Sequence, residues 1–232
     1  MSLTETAPQT RPIAAFDVDG TLTWTDSFML FLRFVRGRWG FVTRMIRLVP
    51  VFLAYVVRLR DRDATKNLIM TAFLKGISAL RFAQYCEDFA RIAYPIVTRP
   101  DALVRLNSHL GVRDQVVLVS ASLEDYLIPW ARTLGVETVL ATQVEVRGGV
   151  LSGAMLGPNC RCEQKVARII ARFGEAPIVA AYGDSRGDHE MLAASQNPGM
   201  LVFEEVPSNR RAIWWDLYFG DLLERRLRGD IS

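Results

Sequence analysis

The run Ile13-Ala-Ala-Phe16 passes directly into Asp17-Val-Asp19-Gly-Thr21, so an apolar segment too short for a helix ends in two carboxylates set two residues apart. Such a run, closed by a turn-forming glycine, reads as a strand buried on both faces, and strands of that kind belong to parallel sheets covered by helices. Acids at the carboxyl end of such a strand stand at the edge of the sheet where open α/β folds bind their ligands.

The pattern recurs twice. Val116-Val-Leu-Val119 leads into Ser120-Ala-Ser122, and Ile178-Val-Ala-Ala-Tyr182 leads into Gly183-Asp184-Ser-Arg-Gly-Asp188, each with helical periodicity behind it. Alternating strands and helices predict an α/β, Rossmann-like, doubly wound parallel sheet whose three strand ends converge on one crevice. From about Asp26 to Pro100 the strand signal gives way to helical patterns, with breaks expected at Pro50 and at Arg60-Asp-Arg-Asp63. This predicts an α-helical cap inserted after the first strand over residues 27–99, with 1–26 and 100–232 forming the core. Gln143 to Ser152 alternates about Gly148-Gly149 and predicts a hairpin at the sheet edge beside the site. The first eleven residues are polar and aperiodic, and are expected to form a tail.

About half of the 232 residues are hydrophobic and 23% are charged, which supports a full core and excludes a disordered or fibrous chain. Three cysteines cannot all pair, and no leader-like segment opens the sequence, so a cytoplasmic setting is expected. The net charge of +3 conceals an imbalance: Ser27 to Arg60 holds seven arginines and no acid, which leaves −4 for the remainder. A segment so charged suits an anionic partner.

Four motifs, in order, carry a resemblance: Asp17-Val-Asp19-Gly-Thr21, Ser120 after a strand, Lys165 at a helix start, and Gly183-Asp184-Ser-Arg-Gly-Asp188. Together they resemble the haloacid dehalogenase superfamily, in its phosphoserine-phosphatase-like branch (subfamily IB), over roughly residues 12 to 205. Taken alone, the first motif could be a tight turn and the last a helix cap, and their joint order is what argues against both.

The resemblance implies a phosphatase. Asp17 would be the nucleophile forming an aspartyl-phosphate, and Asp19 the acid that protonates the leaving oxygen and later activates water. Gly20 would let the strand bend away after these acids. Asp17, the backbone carbonyl of Asp19, and Asp184 would hold Mg2+, while Asp188 would cap a helix or orient metal-bound water. Ser120, the backbone at Ala121, and Lys165 would clamp the phosphate. Ser122-Leu-Glu-Asp125 looks like a capping box for the helix that follows.

In phosphoserine phosphatases an acid and a cap arginine hold the serine moiety. Asp26 stands at the acid position, but the arginine position falls on Met70, which argues against phosphoserine. The cap instead interleaves arginines with aromatic residues and carries the apolar run Leu48 to Val57, too short to span a bilayer but suited to an interface. That resembles the phosphatidylglycerophosphatase type of the same branch, so the partner expected is a phosphorylated small molecule or a lipid headgroup, with peripheral membrane contact through the cap. A cap helix packed on its neighbours with a solvated arginine rim accounts for the same pattern.

Trp214 to Phe219 and the basic residues after them fit either a docked helix or a second membrane contact. Phosphotransfer to another acceptor and a non-catalytic anion-binding module are the competing functions. Nucleic acid is not expected as a partner, and oligomeric state is not legible. His109 and His189 lack metal-ligand spacing, and Cys160-Arg-Cys162 lacks partners, so these read as structural residues and reduced thiols.

Overall fold

A computed structural model describes residues 11–230, so all of the expected amino-terminal tail except Arg11 lies outside the described residues. Strands β1 (Ile13–Phe16), β2 (Gln115–Leu123), β3 (Thr138–Arg147), β4 (Val150–Leu156), β5 (Ile178–Gly183) and β6 (Asn197–Met200) form one sheet in the order β4-β3-β2-β1-β5-β6. Every neighbouring pair is parallel except β3 and β4, which form the hairpin expected at the sheet edge. The chain turns to one side of β1 to reach β2 and to the other to reach β5, so Asp17 leaves the sheet at a topological switch point.

The sheet is covered on both faces. Ala14, Phe16, Val116, Leu118, Ala180 and Tyr182 enter one apolar core, while Ile13, Ala15, Val117, Val119 and Ala181 enter the other. This double burial is why β1 and β2 read as continuous apolar runs rather than alternating ones.

Helices α1 (Ser27–Val56), α2 (Arg62–Leu74), α3 (Ala79–Ile92) and α4 (Tyr94–Val97) lie between β1 and α5 (Pro100–Gly111). The segments leading into and out of this insertion bond to each other, Trp24 N to the Val97 carbonyl at 2.9 Å and Arg99 N to that of Leu22 at 2.8 Å. A second attachment joins the insertion to the hairpin, through Gly76 N to the Leu151 carbonyl at 2.9 Å and Ala79 N to that of Gly149 at 2.8 Å. After β2 come α6 (Glu124–Thr133), then α7 (Glu163–Phe173), α8 (His189–Ala193), α9 (Arg210–Tyr218) and α10 (Leu222–Arg228).

The break expected at Pro50 is absent, for α1 runs through it and leaves helical geometry at Gly37 instead (φ 67°, ψ 168°). Glycine adopts that positive φ without a Cβ clash, whereas Pro50 withholds one donor on an exposed turn. The second break is where the sequence places it: Asp61 caps α2 by accepting from Ala64 N at 2.6 Å.

Four of the seven arginines donate to backbone carbonyls, three of them through buried or half-buried bonds and Arg38 through an exposed one. Arg36 donates to Phe73, Arg44 to Ala72 and Arg38 to Phe219. Arg33, 1% exposed, donates to the carbonyls of Tyr218 and Gly220 and pairs with Glu224 at 2.7 Å. It fastens α9 and α10 to α1, so the C-terminal segment is docked, with Leu217, Tyr218 and Leu223 buried.

Candidate active site

All eight residues singled out by the sequence reach one cavity of about 540 Å³: Asp17, Asp19, Asp26, Ser120, Ala121, Lys165, Asp184 and Asp188. The topology accounts for this, because β1, β2 and β5 are adjacent and parallel and deliver their carboxyl ends side by side.

Lys165 projects from the first turn of α7 into the centre of the site. Its Nζ lies 2.5 Å from Asp17 Oδ1, 2.5 Å from Asp188 Oδ1 and 2.7 Å from the Val119 carbonyl. Burial alone would lower the lysine, but the two carboxylates outweigh it and hold the ammonium above its ordinary range. Burial pushes Asp17 up to about 7 against the opposing pull of Lys165, and burial likewise raises Asp184. The other oxygen of Asp17 receives only a 3.4 Å contact from the Thr21 hydroxyl.

Oxygens of Asp17, Asp184 and Asp188 can all lie within 4.8 Å of one another. Gly20 makes the cluster possible, since its φ is +84° and a Cβ there would come within 1.9 Å of Asp184 Oδ2. Three carboxylates at such range repel one another, and only one lysine stands among them, so the donor set fits a hard divalent cation. Both oxygens of Asp188 are already engaged, one by Lys165 and the other by Ser185 N and Oγ at 3.0 and 2.8 Å. Asp188 thereby closes a capping box with Ser185 beside the cluster.

The side chain of Asp19 points away from the cluster. Its Oδ1 accepts at 2.7 Å from Ser27 N, an amide at the start of α1 that has no acceptor within the helix, and its Oδ2 accepts from the Ser122 hydroxyl. Burial, with Asp26 nearby, raises this carboxyl to about 6. Ser122 therefore does not cap a helix as its sequence context suggests: the N-cap of α6 is Leu123 and no side chain bonds there. β2 continues through Leu123, which turns Ser122 toward Asp19 instead. Ser120, 1% exposed, lines the cavity, and its Oγ accepts from Ser122 N at 3.0 Å.

Asp26 is exposed at the cavity mouth, where it caps α1 by accepting from Met29 N at 3.0 Å. Met70 is fully buried in the core, whereas Ile69 of the same helix lines the cavity. One turn earlier stands a residue that motif reasoning missed. Lys66 donates to the Ala121 carbonyl, and to Asn159 Oδ1 at 2.7 Å, so the insertion touches the phosphate-loop candidate directly. Its signal was composition: the 28 basic residues include only three lysines, 66, 75 and 165, and two of them enter this cavity.

His109 bonds Asp114 and Tyr182 outside the cavity and is structural. All three cysteines are free thiols, and Cys162 takes a φ of 52° just before α7, a position that would suit glycine.

A model of the haloacid dehalogenase-like hydrolases matches residues 14–193. Protein CicA of Caulobacter vibrioides is 36% identical over 199 residues, covering 84% of this chain and 88% of its own. The crystal structure of a protein of unknown function from Bordetella pertussis Tohama I is similar at a TM-score of 0.72 and 26% identity, over 88% of this chain and 95% of that one. An apo phosphoserine phosphatase shares the fold at a TM-score of 0.55 and 15% identity, over 80% and 83% of the two chains.

Proposed function

This chain belongs to the haloacid dehalogenase-like hydrolases, and from that membership we propose that it is a magnesium-dependent phosphomonoesterase acting through an aspartyl-phosphate on Asp17. The observation that carries the reading is the placement of Lys165 between Asp17 and Asp188, with Asp184 beside them and Asp19 turned away.

Lys165 engages one oxygen of Asp17 and leaves the other free to attack phosphorus, so the nucleophile is fixed in orientation before substrate arrives. Asp19, held by Ser27 N and Ser122, gives its proton to the departing alkoxide oxygen. It then takes a proton from the water that attacks the phosphorus of the phospho-enzyme, which releases inorganic phosphate and restores Asp17. Lys165 and the backbone at Ser120 and Ala121 bind the phosphoryl oxygens. Asp17, Asp184 and the Asp19 carbonyl would hold magnesium, with Asp188 supporting them; the ion would offset the charge of the phosphoryl group.

The leaving group faces the insertion. Trp24, Phe28, Met29, Phe52, Tyr55 and Ile69 line that side of the cavity, joined by Arg62 and Lys66. An apolar wall with a few cations suits an amphiphilic phosphate, and a phospholipid phosphate such as phosphatidylglycerophosphate is the substrate class we favour. Phosphoserine fits less well, because Met70 is buried away from the cavity and one oxygen of Asp26 serves the helix cap.

Magnesium-supported hydrolysis of an aryl phosphate tests the reaction, with Asp17→Asn expected to lose at least ~10³-fold. A panel of phosphoserine, sugar phosphates and micellar lipid phosphates tests the substrate class. Preference for the soluble esters would remove the lipid reading and leave the hydrolysis in place.

A further inference from the structure

Trp39, Ile46, Val49, Leu53 and Val56 are spaced by seven, three, four and three residues, which sets them along one face of α1. None is covered: their exposures are 70%, 64%, 48%, 60% and 73%. The stripe is about 25 Å long, from the rise per residue of a helix. An apolar surface of that length is uncommon on a chain that meets only water.

The surroundings of the stripe say what covers it. Arg47, Arg58 and Arg60 are exposed beside it and beyond its end, and Ser27 to Arg60 contains no acid. A second copy docking here would bring the same cations against themselves across a two-fold axis. An anionic lipid surface complements both features, the arginines at headgroup level and the aliphatic side chains below them.

Although α1 is long and apolar enough to cross a bilayer, its first turns cannot enter one. Phe28, Leu30, Phe31 and Leu32 are locked in the core and Arg33 is clamped to the C-terminal helices. The stretch beginning at Trp39 is held to the body along its other face, where Phe41 and Leu48 are buried and Arg44 donates to the Ala72 carbonyl, so it offers a membrane one side only and lies along an interface. Phe52 and Tyr55, adjacent to Leu53 and Val56 in sequence, line the catalytic cavity. The cavity mouth and the apolar stripe therefore share the last turns of one helix.

We propose that α1 from Trp39 to Val56 is a membrane-docking face that lays the mouth of the active site against an anionic bilayer. The contact deepens the proposed hydrolysis by naming the surface that presents the substrate, and it can be read without turnover.

Sedimentation of the full chain with vesicles tests it, comparing pure phosphatidylcholine with phosphatidylcholine mixed with phosphatidylglycerol. Partition into the mixed vesicles is expected, falling with added salt. Leu53→Glu/Val56→Glu should lower it at least ~10-fold, because charges cannot enter the acyl boundary, while aryl phosphate turnover holds. Asp17→Asn should partition like the wild type. Equal partition of the double variant and wild type, or none by either, overturns the proposal. So does a wild-type dimer that the double variant converts to monomer. Partition intact in a wild type that hydrolyses nothing would refute the reaction and leave the docking face standing.

Discussion

Lys165 Nζ and Asp17 Oδ1 stand 2.5 Å apart with both side chains almost wholly buried. The same ammonium meets Asp188 at 2.5 Å, so one buried cation balances two buried carboxylates. Lys165→Met should therefore lower kcat about 10³-fold and also reduce stability by roughly 3 kcal/mol, since it strands two buried acids. Lys165→Met/Asp188→Asn should recover part of the stability and none of the turnover. Denaturant titration beside steady-state kinetics separates the two effects.

Ser122 grips the carboxyl assigned as general acid. Ser122→Ala leaves one oxygen of Asp19 without its hydroxyl partner and the carboxyl held by Ser27 alone, so its side chain should sample orientations that miss the leaving oxygen. We predict a roughly 10-fold fall in kcat with KM little changed, because proton delivery loses alignment while phosphate binding is untouched. The loss should be smaller for aryl phosphates with good leaving groups, which need less protonation. Ser122→Thr, retaining the hydroxyl, should recover much of the rate.

Burial pushes Lys66 down to about 8 from an ordinary 10.5. Between those values the unfolded chain binds a proton that the folded chain does not, so this residue makes stability rise as pH climbs through that window. Lys66→Met lacks the term. Denaturant midpoints at about pH 8 and about pH 10 should thus shift in favour of the wild type, relative to the variant, at the higher pH. An unchanged difference would mean that Lys66 is not titrating there.

Arg33 is the clamp between α1 and the C-terminal helices, 1% exposed and bonded to two carbonyls and Glu224. Arg33→Met should cost about 3 kcal/mol and expose residues 210–228 to amide exchange before the sheet opens. Glu224→Gln should cost no more than about 1 kcal/mol, because that carboxylate is partly solvated and the carbonyl partners remain. Hydrogen exchange resolved by peptide distinguishes release of this segment from global loss of stability.

The strands and the acids at their ends were legible because β1, β2 and β5 are buried on both faces, and burial on both faces writes an unbroken apolar run into the chain. β6 was not, since it is a four-residue edge strand containing Pro198 and Gly199 and carries almost no such pattern. The arginines of the insertion read as one basic surface, yet Arg33, Arg36 and Arg44 turn to backbone carbonyls within the fold. Composition records a charge but not the side to which a helix turns it. Ser122 read as a helix cap because its local pattern fits one, and its real partner, Asp19, lies 103 residues away. Lys66 belonged to no motif, and only the packing of α2 over the carboxyl end of β2 brings it into the site.

The central claim is that phosphate passes through Asp17. Acid quenching of the wild type and of Asp19→Asn during turnover of a phosphomonoester, followed by hydroxylamine treatment and peptide mass spectrometry, reads this directly. The expected result is a hydroxylamine-sensitive adduct on the peptide containing Asp17, more abundant in Asp19→Asn and absent from Asp17→Asn. Turnover by Asp17→Asn at the wild-type rate, with no adduct on any aspartate, would contradict the account.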